Sequence, residues 1–222
     1  SNMSTSSDYL DSKRVTDFLF YFQIAAASIF VASQLSVMRQ SISGVSITWF
    51  GLWLIFLLIN LFLSIAALRH DRNRISKQTF VLYLVWVIAM AFVFAFLLWQ
   101  GAAWTKIDTV TAAITISGSI AAICIARIKH VPITDPMVQA SFAVLCKAVP
   151  QLTLTWMIIE FGGEGISPYV VVLGHITISL RLTQLWYASL EGGWDRNRKG
   201  IAIGEISNEL TWIIATVVWL LQ

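Results

Sequence analysis

Charge is scarce in this 222-residue chain, with Asp, Glu, Lys and Arg making up only 12% of it, against 57% hydrophobic residues. Together with a mean hydropathy of +0.74, this excludes a water-soluble domain of ordinary composition and points to an integral membrane protein. Cysteine is nearly absent. Cys124 and Cys146 both lie in apolar runs, a pattern that excludes a disulfide framework, a zinc ribbon and a CxxC redox pair, and they read as small core residues. The three histidines are scattered, and no HExxH, GxSxG or phosphate-cradling glycine loop is present, so enzyme readings fail and no cofactor is called for. The formal charge of +3 is small, and in such a chain Lys and Arg report membrane orientation, so a nucleic-acid partner is not implied.

Apolar runs, by contrast, are abundant. A bilayer core of about 30 Å needs roughly 20 apolar residues in a helix, and seven runs qualify, at 16–37, 47–68, 79–100, 107–127, 137–159, 167–190 and 201–221. Backbone groups in lipid must find partners within the segment, so each run is expected to be a helix. Ser1-Asn2 before Met3 reads as a cloning remnant. The polar, acidic stretch to Asp11 contains no cleavable signal, which makes the first run a retained span and residues 1–15 a disordered start.

Eleven Lys and Arg residues (Lys13, Arg14, Arg69, Arg72, Arg74, Lys77, Arg127, Lys129, Arg196, Arg198, Lys199) fall on one side of this layout and two (Arg39, Lys106) on the other. The positive-inside rule then places the N-terminus in the cytoplasm and the C-terminus outside. Trp49, Trp53, Trp99, Trp104 and Trp156 fall near the expected outer ends, where indole rings favour the interface.

Two stretches of the chain echo each other. Asp71-Arg72-Asn73-Arg74 recurs as Asp195-Arg196-Asn197-Arg198 at an offset of 124, Gly44-Val45-Ser46 matches Gly165-Ile166-Ser167 at 121, and Trp86-Val87-Ile88 matches Trp212-Ile213-Ile214 at 126. Three anchors in one order suggest a duplication, although basic loop tetrapeptides also recur for topological reasons alone. The expected fold is all-α, with seven transmembrane helices as two parallel three-helix bundles, 16–100 and 137–222, joined by a linker helix at 107–127. Span 4, rich in Ala, Thr, Ser and Ile, suits close helix contact and offers no chemistry of its own. Ser46 and Ser167 are expected to cap helices, with Pro168 in the first turn.

This plan resembles the PQ-loop superfamily, which includes SWEET sugar transporters, cystinosin-like exporters and the KDEL receptor. The residues carrying the resemblance are Pro150-Gln151 in span 5 followed by Gly165-Ile166-Ser167. The corresponding first-repeat stretch, Ala32-Ser33-Gln34-Leu35, lacks the proline. The resemblance implies transport of a small solute by alternating access, or, on the receptor branch, binding of a ligand in the same cavity. Two departures stand beside it: the charge count puts the loop after Pro150-Gln151 outside, where SWEET-like proteins hold it in the cytoplasm. Asn208 also loosely matches the family's substrate-side asparagine, while span 3 offers Leu82 or Leu84 at the equivalent place.

Ionisable residues inside a span are costly and default to functional candidates. Lys147, Arg181, Glu205 and Glu209 all lie in the second repeat, which suits a charged or zwitterionic solute better than a neutral sugar. Glu205, Asn208 and Glu209 share a helical face at i, i+3 and i+4, as do Lys147 and Gln151 at i, i+4. Substrate contacts are therefore assigned to Lys147, Gln151, Asn208, Asn60 and His175. Coupling or gating is assigned to Glu209, Glu205, Arg181 and Pro150, with Glu209 facing Arg181 and exchanging a proton as its partner moves. Pro150 removes a backbone donor and frees the carbonyl four residues back, a point of bending. The competing reading is that the charges pair as static helix glue. Gln23, Gln34 and Asn60 also read as interhelical hydrogen-bond partners. Expected partners are a small-molecule solute and membrane lipid, and self-association into a homo-oligomer is compatible with the sequence.

Overall fold

The computed structural model describes the backbone of residues 4–222 and the side chains from residue 12 onward; Ser1-Asn2, read above as a cloning remnant, lies outside the described residues. They form seven helices: α1 (Ser4–Met38), α2 (Ile47–His70), α3 (Arg74–Trp99), α4 (Lys106–Ile128), α5 (Pro136–Phe161), α6 (Pro168–Gly192) and α7 (Arg196–Leu220). Six of them, all but α6, are long and apolar enough to cross a membrane. α6 falls short because His175, Thr177, Arg181, Thr183 and Gln184 interrupt its apolar run.

The surface is inverted relative to a soluble protein. Phe18, Ile29, Phe62, Ile88, Phe92, Ile120, Ile159 and Leu210 are exposed, while Gln23, Gln34, Asn60, Lys147, Gln151, Glu205 and Asn208 are buried. Water would reject such an apolar exterior, whereas lipid accepts it, so this is an integral multi-pass membrane protein.

Helices start and stop where their caps dictate. Ser46 Oγ accepts from Trp49 N at 2.9 Å, Asn73 Oδ1 from Ser76 N at 2.8 Å and Asp195 Oδ1 from Arg198 N at 3.0 Å. Thr105 and Asp108 form a capping box on α4, and Asp108 Oδ1 also accepts from Thr48 N at 3.0 Å and Thr48 Oγ1 at 2.6 Å. One buried carboxylate therefore ties the starts of α2 and α4 together. Asp135 caps α5 through Met137 N and takes two bonds from Arg196 at 2.8 and 2.9 Å, which sets α5 and α7 parallel with level starts. Slight burial raises the Asp135 carboxyl, but the Met137 N–H and the Arg196 guanidinium outweigh it and hold the group below the ordinary carboxylate range.

Several expectations are corrected. α1 is helical from Ser4, so the described part of the 1–15 start is not an irregular segment; Arg74 holds its Thr16–Asp17 turn against α3. α3 and α7 begin five residues earlier than the apolar runs, because their caps lie in the basic loops. Asn73 starts α3 whereas Asp195 starts α7, so the two Asp-Arg-Asn-Arg segments stand two residues out of step with the helices they precede. Ser167 makes no side-chain cap bond among the described residues; Gln34 Oε1 accepts the Ser167 N–H at 3.2 Å instead. Trp49 and Trp53 are core residues rather than interface anchors, while Trp99, Trp104 and Trp156 are exposed as an interfacial belt requires. Cys146 is buried as expected, but Cys124 faces outward on α4.

Packing order matters for the site. α3 packs against both α1 and α2, and α7 against both α5 and α6; α2 meets α5 and α7, α1 meets α6, and α4 leans on α5 with its start against α2. α2, α5 and α7 therefore hold the central positions, and α3 reaches the middle through its buried face, which carries Leu82, Tyr83 and Trp86.

Candidate functional site

Mid-height polar residues of α5, α6 and α7 meet the aromatic side chains of α1, α2 and α3 around a small central cavity. Phe30, Trp53, Leu57 and Trp86 form one wall; Gln151, Thr177, Arg181, Asn208 and Trp212 are on the other. Its volume is about 10 Å³, room for roughly one water molecule. Arg181 is the fourteenth residue of α6 and Asn208 the thirteenth of α7, each 25 residues long, so the cavity lies near mid-membrane depth.

A continuous hydrogen-bond network lines the polar wall. Arg181 holds Glu205 in a two-point contact, Nε to Oε1 at 2.8 Å and a terminal nitrogen to Oε2 at 3.1 Å. Tyr83 Oη donates to Glu205 Oε1 at 2.8 Å and Asn208 Nδ2 to Oε2 at 3.2 Å. Gln151 Nε2 in turn donates to Asn208 Oδ1 at 3.1 Å, and Thr211 donates to Gln151 Oε1. The Arg181 guanidinium also lies 5.5 Å from the Trp86 ring centre.

Gln151, Arg181, Glu205 and Asn208 are thus brought together, but two assignments change. The partner of Arg181 is Glu205, not Glu209. Glu209 does not share the inward face of Glu205 and Asn208; it bonds His175 Nδ1 at 2.6 Å, and His175 Nε2 meets Thr216 at 2.8 Å. His175 and Glu209 retain side-chain exposures of 27% and 24% and line no part of the cavity, so the structure separates them from the assigned substrate and coupling sets. A residue one position along a helix turns by about 100°, which carries Glu209 from the cavity face that Asn208 occupies toward the outer α6 side.

Lys147 is fully buried on α5, its Nζ 3.1 Å from the Trp53 ring centre and 5.7 Å from that of Phe56, with no hydrogen-bond partner among the described residues. Asn60 is also fully buried, and neither atom of its amide is bonded there, which corrects its reading as a helix-to-helix link. Gln23 and Gln34 do link helices: Gln23 donates to Gln184 at 3.2 Å, and Gln34 donates to the Gly165 carbonyl at 2.9 Å. Pro150 is buried inside a continuous α5, and Thr153 folds back on the same helix, donating to the Val149 and Pro150 carbonyls at 3.2 Å.

Both ends of the cavity axis are shut by contacts between α1–α3 and α5–α7. At the basic end, buried Arg198 reaches Ser76 at 2.9 Å, Asp195 at 2.9 Å and Asp71 at 3.4 Å. At the other end the two Gly-apolar-Ser turns meet face to face, with Gly165 N donating to Ser43 O at 2.9 Å and Gln34 reaching across. Trp49 and Trp212 stack with centres 6.0 Å apart between that end and the cavity.

Sequence reasoning missed Tyr83, Thr211, Arg198 and the aromatic wall. Tyr83 carries a hydroxyl in an otherwise apolar stretch of α3, a signal that was available. Arg198 was hidden among basic residues that report topology. Among the described residues, no three His, Cys, Asp or Glu side chains gather to hold a metal ion. Compared with models of protein families, with curated proteins and with solved structures, the chain matches none.

Proposed function

We propose that the protein is a transporter of a small polar or zwitterionic solute, with a PQ-loop/SWEET-like 3+1+3 plan, working by alternating access. The observation that carries this reading is the cavity sealed at both ends by contacts between the same two sets of helices. An assembly closed at both ends can release solute to either side by breaking one set of contacts while keeping the other. The cavity holds about one water molecule, so this is a closed conformer, and solute enters only when the sets part.

Helix boundaries support the two-bundle plan. The starts of α2 and α6 lie 121 residues apart and those of α3 and α7 122; the ends of α1 and α5 lie 123 apart, those of α2 and α6 122 and those of α3 and α7 121. In the α3/α7 register the counterpart of Asn208 is Trp86 rather than Leu82 or Leu84, which pairs a polar cavity residue with an aromatic one. α6 completes the seven spans in this reading. Its 25 residues reach about 37 Å, Val172, Ile176 and Trp186 give it an apolar outer face, and the short connections to α5 and α7 leave it no route but back across the bilayer.

The test is counterflow in proteoliposomes, screened with sugars, amino acids and organic acids. Exchange of labelled solute against excess unlabelled solute is expected; saturable binding without exchange would instead make the protein a receptor. The orientation proposed from the charge count is checked by cysteine labelling in a Cys124→Ser background. Impermeant reagent outside intact cells should modify Glu164→Cys and leave His70→Cys untouched, both positions being exposed. The opposite result would put the family's usual orientation in its place.

A further inference from the structure

Lys147 Nζ is a fully buried amine that makes no hydrogen bond or ion pair among the described residues. Glu205 is the nearby carboxylate, and its two oxygens already accept four bonds, from Tyr83, Arg181 twice and Asn208. Glu209 is committed to His175 on the outer side of α7. Arg181 and Glu205 pair with each other, so the Lys147 amine beside the cavity is left with no carboxylate in contact among the described residues. The aromatic faces around it offer no acceptor for its N–H donors.

The orphaned amide of Asn60 lies on the same seam. A Cβ built on Gly204 would stand 3.3 Å from the Phe56 ring, 3.5 Å from Ala143 Cβ and 3.7 Å from Asn60 Oδ1. Ala143 is one helical turn before Lys147, and Phe56 is the ring 5.7 Å from Nζ, so Asn60 and Lys147 flank one junction of α2, α5 and α7. Trp53, whose face covers Nζ, is itself a wall of the cavity. A buried amine and a buried amide without partners are unsatisfied donors awaiting acceptor oxygens, and one indole ring separates the Lys147 amine from the cavity.

Resting on the transport reading for the site but not for the act of transport, we propose that the solute is a small monocarboxylate-bearing molecule. Its carboxylate takes Lys147 Nζ and the Asn60 amide when Trp53 turns aside, and its apolar body lies against Trp86 and Trp212. A single amine without a carboxylate partner matches a single carboxylate on the ligand, whose two oxygens accept from both donor groups. Charge-assisted bonds of this kind are the strong ones, so the neutral amide analogue of the same shape is rejected.

The experiment uses the purified full chain in detergent, with acetate, lactate and benzoate compared with acetamide, lactamide and benzamide at constant ionic strength set by chloride. The expected result is a saturable rise in unfolding temperature with at least one carboxylate and none with its amide. Lys147→Met should unfold no earlier than the parent without ligand, since it removes a buried amine that has no partner, and should lose the carboxylate response. Asn60→Leu should fold and need at least about tenfold more carboxylate for the same response. The inference is overturned if no carboxylate shifts the parent, if the amides act equally, if Asn60→Leu responds like the parent, or if Lys147→Met either keeps the response or is strongly destabilised. Carboxylate binding without counterflow would overturn the transport reading alone; counterflow of solutes lacking a carboxylate would overturn this inference alone.

Discussion

Glu205→Ala is expected to lower stability by about 3 to 5 kcal/mol, because it strips the counterion from a buried guanidinium. The carboxylate it removes is fully buried and accepts from three residues, Arg181, Tyr83 and Asn208, on α6, α3 and α7. Each of those groups would then face an apolar interior with an unmet donor. For a protein of this size the loss corresponds to an unfolding temperature lower by roughly 10 °C, measured in detergent by intrinsic fluorescence or calorimetry. Removing both charges in Glu205→Leu/Arg181→Met should cost less than Glu205→Ala alone, since no orphaned charge remains. A double variant as unstable as the single one would show that the charges themselves contribute little and that the neutral bonds dominate.

Gly165→Ala is expected to prise open the end opposite Arg198. A Cβ at this position would lie 2.6 Å from Ser43 O, 2.8 Å from the Ile42 carbonyl carbon and 2.9 Å from Val45 Cγ2. Two of these atoms are backbone and cannot swing away, so the turns of residues 41–46 and 162–167 must separate. Overpacking of this kind costs about 1 to 3 kcal/mol, and it also strains the Gly165 N to Ser43 O bond and the bond from Gln34. Trp49 and Trp212 lie just inside, so iodide should quench tryptophan fluorescence more strongly in the variant. That increment should vanish when Trp212 is also replaced by Phe. Gly51→Ala is the control, because its Cβ would meet only the Phe94 ring at an ordinary 3.5 Å. Equal quenching in parent and Gly165→Ala would mean that this end is not a breakable contact.

The helices were readable from the chain because lipid leaves so few alternatives. Runs of about 20 apolar residues predicted every helix, and the errors fell at the basic ends, where Asn73 and Asp195 begin helices inside loops that hydropathy alone leaves out. Candidate polar residues were equally visible, since a Lys or Glu amid Leu and Val stands out. Their pairings were not. Glu205 and Glu209 differ by a single turn of α7, and only the packing of α6 against it decides which one Arg181 meets. The tryptophans misled for a related reason: an indole near a span end suits either an interface or a tight core, and Trp49 and Trp53 took the core because Trp212 and Lys147 were there to receive them.

The two walls of the cavity differ in kind, and that difference bears on why a single chain is used. Every polar residue lining it comes from α5, α6 or α7, while α1, α2 and α3 supply only Phe30, Trp53, Leu57 and Trp86. A dimer of identical three-helix subunits would have to repeat each lining residue across its twofold axis. Two copies of Arg181 would then crowd one space of low permittivity, and two copies of Trp53 and Trp86 would compete for the volume of the cavity. In the proposed two-bundle plan, covalent linkage through α4 frees the halves from self-complementarity, so one can specialise as a greasy, polarisable platform and the other as a set of directed donors and acceptors. The proposed solute would then meet unlike surfaces and adopt one orientation, carboxylate toward the donors and body toward the rings.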